Sequence, residues 1–333
     1  MDEKPIAQMG LIEMQEAARR RMPADAWEYI MGAADSGATM TRNVAAFRNF
    51  LFQQRIFHQV SDPDTSVTLF GRTVLTPAWV APIGSFHRIS ETAEKKVAEG
   101  ASSANTVLFV SYAAKSNVRE WAQGTRAPLI YIGYMQQGRE EISKSVRLAE
   151  ELGYMAVGLV MDPIQPQRIG ETVLLTRDGK PRRGNPARPE DIRWLKSQTS
   201  LPVVIKGVLN SEDARVAVDA GADALVVSNH GGRIFDQARA AFEVLPEVVA
   251  AVGSRVPVIL DGGVRNGGDI VKAIALGARA ALVGRPVCWG VAAGGAIGVQ
   301  RVIDILTQDL KRTLVMTGVG AVSQVTDAII VPA

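Results

Sequence analysis

The sequence predicts an α/β fold: a (β/α)8 TIM barrel with an N-terminal helical extension and a small hairpin. Three observations carry that expectation. Eight short apolar runs recur along the chain, bounded by turn residues and too uniformly hydrophobic for half-solvated strands, as strands buried on both faces of a parallel sheet are. Helical patterns lie between them, at about the spacing a strand–helix–strand crossover needs. The 333-residue length, with 47% hydrophobic and 21% charged residues, suits one such barrel plus an extension around a large core.

Taken in order, residues 1–76 form the extension and 77–333 the barrel, so that 1–333 reads as one domain. In the extension, "LIEMQEAARRRM" and "DAWEYIMGAA" are helical pieces. "SVTLFGRTVL" reads as a hairpin with a glycine at its turn, suited to plugging the barrel's N-terminal mouth. The expected barrel strands are Ala78 to Pro82, Val107 to Ser111, Leu129 to Gly133, Ala156 to Asp162, Val203 to Gly207, Ala224 to Asn229, Val258 to Gly263 and Ala281 to Arg285. Among the helices, "EEISKSVRLAEELG" stops at a glycine and "SEDARVAVDAGA" opens on a Ser-x-x-acid-like cap; "GGDIVKAIALGA" and "GAIGVQRVIDILTQDLKRTLVMTG" follow. The long irregular stretch 163–191, rich in proline, glycine and basic residues, falls after the fourth strand, where a loop would cover an active site.

Composition excludes several function classes. The net charge is +3, and "KPRR" at Lys180 to Arg183 is the one dense basic run, without interleaved aromatics, so no nucleic-acid partner is expected. A single cysteine, Cys288, in an apolar context rules out an internal disulfide and leaves no zinc set, so no metal is expected and a reducing compartment is. No apolar run of membrane-spanning length and no signal-peptide pattern is present, so a cytoplasmic protein without a membrane partner is expected.

Polar residues at the C-terminal ends of barrel strands converge on one pocket. Here they are Ser111, Tyr134, Asp162, Lys206, His230 with Arg233, Asp261 with Arg265, and Gly284 with Arg285. A lysine, a histidine and two aspartates at successive strand ends are costly to bury unless they are paired or put to use. The stretch "VVSNHGGRIFD" is the densest, with one of the chain's three histidines directly after an apolar strand. "DGGVRNG" and "GRP" end the seventh and eighth strands, the pair of loops that in barrels frequently holds a phosphate on backbone N–H groups and a helix N-terminus. Arg265 and Arg285 would add bidentate hydrogen bonds. His58 and His87 read as ordinary structural histidines.

"VIKGVLNSEDARVAVDAGADALVVSNHGGR", "VILDGGVRNGGDIVKAIALGA" and "ALVGRPV" resemble the FMN-dependent α-hydroxy-acid oxidase and dehydrogenase family, which includes glycolate oxidase, lactate oxidase and mandelate dehydrogenase. The likeness runs from "WEYIMGAADSG" to "VMTGVGAVSQV", with "DPDTSVTLFG" and "WVAPIG" closest to the lactate oxidase branch. It implies FMN as cofactor, His230 as the base, Asp162 as the aspartate paired with it, and Arg233 as the clamp on the substrate carboxylate. It makes Tyr29 and Tyr134 substrate contacts. Lys206 would lie beside the flavin's pyrimidine ring, and Ala81, Pro82, Ile83, Gly84, Ser111 and Ser228 along the flavin. Asp261, Gly262, Gly263, Arg265, Gly284 and Arg285 would line the phosphate end. The residue types suit the chemistry, since oxidising a hydroxy acid requires a base, a cation for the carboxylate and an electron acceptor.

The sequence departs from the family in places. Ile132 replaces a flavin-contacting glutamine and Val160 a threonine; Ala113 fills an aromatic's slot, with Tyr112 one position short; "RIFDQ" replaces the usual glutamine after the arginine. Arg168 arrives one residue early for the second active-site arginine, and the loop after the fourth strand is short, which points to an open pocket and a larger substrate, in a specialised biosynthetic pathway. The expected function is FMN-dependent oxidation of a small-molecule 2-hydroxy acid or related carbinol by a homo-oligomer, a tetramer or octamer by resemblance. The alternatives are isomerisation or oxidative decarboxylation on the same flavin barrel, and flavin binding without turnover.

Overall fold

A computed structural model describes residues 4–162, the backbone at 168–169 and 172–173, and residues 187–333. Eight parallel strands close into a barrel, each hydrogen-bonded to the next in sequence and the last to the first. They are β1 (Ala78–Val80), β2 (Leu108–Ser111), β3 (Leu129–Tyr134), β4 (Ala156–Val160), β5 (Val203–Val208), β6 (Ala224–Ser228), β7 (Val258–Asp261) and β8 (Ala280–Val283). Each expected strand is present. Five of them (β1, β4, β6, β7 and β8) end earlier than the apolar pattern suggests, so that Asp162 follows β4 as a strand-end residue and Arg285 opens the next helix. Closure rests on the β8–β1 register Ala281↔Ala78, Leu282↔Trp79 and Val283↔Val80. Trp79, Phe109, Ile130, Ile132 and Leu159 are fully buried, and Trp79 stacks on Phe109 with ring centroids 6.4 Å apart.

The barrel helices are α1 (Ala93–Ser103), α2 (Val118–Gly124), α3 (Arg139–Glu151), α4 (Pro189–Lys196), α5 (Ser211–Asp219), α6 (Ala241–Val252), α7 (Gly267–Ala275) and α8 (Arg285–Thr317). Asparagines start three of them. Asn117 Oδ1 accepts from Arg119 and Glu120 N–H, Asn210 Oδ1 from Asp213 N–H at 2.7 Å, and Asn266 Oδ1 from Asp269 N–H at 2.9 Å. Each such cap contributes about 1 kcal/mol. The cap of α5 is therefore Asn210, one residue before the serine that the pattern suggested, because the asparagine holds an extended backbone from which its carboxamide reaches the first free N–H. Helix α8 begins earlier than expected and breaks at Gly294 and Gly295, where the backbone leaves helical geometry. By length and composition α8 could cross a bilayer, but much of its most apolar stretch is buried inside the protein, against α1, α7 and the helix Leu11–Arg21.

The extension divides between the two ends of the barrel. The hairpin pairs Val67–Leu69 with Arg72–Val74 through a Phe70–Gly71 turn with both φ values positive. Leu75 N–H donates to Asn105 O ahead of β2, which fastens the hairpin to the N-terminal rim. The helices Ala24–Met31 and Ala38–Ala45 instead reach the opposite face. There Asp236, buried behind β6, accepts from the N–H groups of Ser36 (3.0 Å) and Thr39 (2.9 Å).

Candidate active site

The C-terminal ends of β4, β5, β6 and β7 build the centre of the site. His230 Nδ1 lies 2.5 Å from Asp162 Oδ2, across the end of β5. That contact needs Gly207. Its φ is +111°, and a Cβ there would stand 2.2 Å from Asp162 Oδ1, so any side chain would displace the carboxylate. The chain slips one residue at this point, with Lys206 opposite Val226 and Val208 opposite Val227. Sequence reasoning missed Gly207, since a glycine following a lysine at a strand end carries no signal of an aspartate folding over it.

His230 has φ 56° in a 3₁₀ turn, His230–Gly232. A buried carboxamide pair fixes this turn: Asn43 Nδ2 donates to Asn229 Oδ1, and Asn229 Nδ2 to Asn43 Oδ1, both at 2.8 Å. Asn43 was also absent from the sequence expectations. Its carbonyl occupies the space that a Cβ at Gly263 would need, 2.0 Å away, so the phosphate-loop candidate after β7 and the histidine turn rest on the same residue. With Asp162 accepting from Nδ1–H, the neutral imidazole carries its lone pair on Nε2.

Beside this pair lies a buried ionic network. Lys206 Nζ contacts Asp261 Oδ2 at 2.8 Å and donates to Ser228 Oγ at 2.9 Å, and Ser228 Oγ donates to Asp261 at 2.7 Å. Burial opposes the lysine's charge, but Asp261 and Asp162 outweigh it and hold Lys206 above its ordinary value; for Asp261, burial is likewise outweighed, chiefly by Lys206, and the carboxyl is held down. Lys206 therefore stays a cation at the barrel's centre. Tyr134 sits level with Lys206, both opposite Val160 in the sheet register. Burial, then Asp162 and Tyr29, pushes its phenol well above the usual range, so Tyr134 remains a neutral donor.

Arginines line the rim. Arg233 donates to the carbonyls of Tyr29 (2.7 Å) and Gly32 (2.8 Å), and its guanidinium carbon lies 4.7 Å from the Tyr29 ring centroid. Arg88, from the turn after β1, lies over the same ring at 4.4 Å. Arg285 donates to Ile30, Gly231 and Gly32 carbonyls, while Arg265 packs over Trp289. Neither Arg265 nor Arg285 has a carboxylate ion pair among the described residues. Burial, then the neighbouring Arg233 and Arg265, pulls Arg285 down to about 10, and burial also lowers Arg265.

The remaining candidates fall around these groups. Gly284 faces Ala81 and Ile83, its Cβ position being 3.9 Å from a side-chain atom of each. Gly84, next to Pro82 and Ile83, abuts Ala113 so closely that a Cβ would come within 2.5 Å of it. Ser111 and Ser228 are buried at their strand ends. Gly262 has φ +120°. Arg168 lies in a short strand whose side chains are outside the described residues, as is most of the loop 163–191. His87 sits 3.7 Å from Glu94, outside the cluster.

A phosphate-bearing flavin fits this arrangement. Two half-buried guanidiniums that repel each other, only partly offset by Asp261 and Asp269 and without a carboxylate ion pair among the described residues, stand beside the N-terminus of α8, where the helix dipole also favours an anion. The buried Lys206 places a positive charge inside the barrel mouth, which would offset negative charge on a bound ring system.

Comparison with known proteins agrees. Residues 18–174 and 182–332 match the FMN-dependent dehydrogenase family. The chain is 35% identical over 340 residues to a peroxisomal (S)-2-hydroxyacid oxidase of Arabidopsis thaliana, covering 94% of each chain. It is 34% identical to 2-hydroxyacid oxidase 2 of Bos taurus, covering 96% of this chain and 97% of that one. A crystal structure of mandelate oxidase with 3,3-difluoro-2-hydroxy-3-phenylpropionic acid superposes with a TM-score of 0.87 at 32% identity, over 96% and 97% of the two chains.

Proposed function

Because the chain belongs to the FMN-dependent dehydrogenase family, we propose that it oxidises a 2-hydroxy acid to the keto acid with His230 as the base and Arg233 as the carboxylate clamp. The observation that carries the assignment is the 2.5 Å contact of His230 Nδ1 with Asp162, set beside a cationic Lys206. FMN, when bound, supplies the two-electron acceptor. Arg265, Arg285, Gly284 and the turn at Gly262 and Gly263 would hold its phosphate end, and Lys206 with Ser228 its ring.

The proton chemistry belongs to the chain itself. His230 Nε2 takes a proton from the substrate carbinol, and the resulting imidazolium is stabilised by Asp162, already hydrogen-bonded to the opposite nitrogen. Arg233 orients the α-carboxylate while its guanidinium is braced on the carbonyls of Tyr29 and Gly32. Tyr134, kept protonated by burial, donates to a substrate oxygen. Positioning the carbinol between Nε2 and the acceptor supplies the orientation that such a reaction needs. Assembly as a homo-oligomer belongs to this reading; the exposed apolar residues Ile56, Phe57 and Met316 support it, Arg55 N–H being bonded to Met316 O within that surface.

Anaerobic mixing of the purified flavoprotein with a panel of 2-hydroxy acids tests the reaction. Bleaching of the flavin with one keto acid released per flavin is expected. A spectrum indifferent to every acid, or product formed without bleaching, would overturn it.

A further inference from the structure

Resting on the reading above, in which Arg233 meets the α-carboxylate, we propose that the substrate is a 2-hydroxydicarboxylate and that Arg88 receives its second carboxylate. Arg88 ends the short turn Phe86–Arg88 that follows β1, and its backbone is fixed by donation to Ser85 O at 3.0 Å. Its guanidinium is half-buried over the Tyr29 ring. That ring belongs to the site, for Tyr29 is close enough to disfavour charge on Tyr134.

The other rim arginines all have acceptors. Arg233 and Arg285 donate to carbonyls of the segment Tyr29 to Gly32, and Arg265 donates to Val264 O. Among the described residues Arg88 has neither a hydrogen-bond acceptor nor a carboxylate for its guanidinium. The carboxylate of Glu94, within reach of the adjacent His87, is occupied by the N–H groups of Lys115 and Ser116 at 2.9 and 2.6 Å. A guanidinium stacked on an aromatic face keeps its in-plane donors free, in the fork geometry that matches a carboxylate.

Arg88 and Arg233 lie 4.4 and 4.7 Å from one ring centroid, so their guanidinium carbons are at most about 9 Å apart. Two carboxylates on a short carbon chain span such a gap, and a dianion offsets both cations where a monoacid leaves one unmatched. Arg88 is thus placed to choose the substrate without touching the reacting carbon.

The test compares malate and 2-hydroxyglutarate with lactate and 2-hydroxybutyrate on the FMN-loaded protein, following flavin bleaching without oxygen. Binding of the non-oxidisable pair glutarate and butyrate is followed in parallel through the shift of the oxidised flavin spectrum. The diacids are expected to bind at least about tenfold more tightly than the monoacids. Arg88→Met is expected to weaken diacid binding about ten- to a hundredfold, the worth of a charge-assisted pair, and monoacid binding less than about threefold. Arg88→Lys should recover part of the loss, and an unchanged resting flavin spectrum shows that each variant is folded and loaded. Equal weakening of both acid classes, or no preference for diacids in the unaltered protein, overturns the proposal while the oxidase reading stands. If no acid of either class bleaches the flavin, the oxidase reading falls and this inference with it.

Discussion

At the scale of single residues, the proposed chemistry rests on contacts that the sequence shows to different degrees. His230, Asp162 and Lys206 were legible because charged side chains at the ends of apolar strands have no packing role to explain them. Gly207, which makes the His230–Asp162 contact sterically possible, was not legible, because its requirement arises only when Asp162 is brought over it in space. His230→Asn keeps a donor for Asp162 and tolerates the left-handed backbone, so flavin binding is expected to persist while the rate of flavin bleaching falls about a hundred- to ten-thousandfold, as measured by stopped flow. Gly207→Ala removes no reactive group, yet it is expected to slow the same step by at least about tenfold, since its methyl would occupy the position of the Asp162 carboxylate. Wild-type rates in Gly207→Ala would show that the aspartate contact is dispensable.

At the scale of elements, the strands were easiest to place and the helix starts less so. Strands such as Ala156–Val160 and Ala280–Val283 are buried on both faces and read as continuous apolar runs, whereas the start of α5 depends on whether Asn210 or Ser211 caps it, a choice between neighbouring residues that only backbone geometry decides. In the proposed function the phosphate end lies at the N-terminus of α8. Arg285 is pulled down to about 10 by burial and by Arg233 and Arg265. A bound phosphate favours its charged form, so the affinity is present in full below that pH and declines above it. Equilibrium titrations with FMN should therefore give a dissociation constant that is flat near neutrality and rises by up to about tenfold per pH unit above pH 10. A constant that stays flat well beyond that point would mean that Arg285 does not face the phosphate.

At the scale of the whole molecule, the barrel was legible from its repeating pattern, while the path of the extension was not. Its hairpin does pack at the N-terminal rim, but Ala24–Met31 and Ala38–Ala45 cross to the catalytic face, brought there by Arg233, Arg285, Asp236 and Asn229, residues that lie far away in sequence. Such long-range ties leave no local periodicity to read. The four groups on the barrel side each have a partner on the extension side, so the pocket's wall is shared between two parts of the chain that look separable on paper. A minimal barrel excised as residues 77–333 would lose the carbonyl acceptors of Arg233, two of the three of Arg285 and the Asn43 partner of a buried carboxamide at once. Such a fragment is expected to elute from purification colourless and to show exposed apolar surface by dye binding; recovery of a yellow, monodisperse fragment would contradict this. Engineers grafting new specificity onto this scaffold would accordingly have to transplant the leading forty-odd residues with the strand-end loops, as a single cassette.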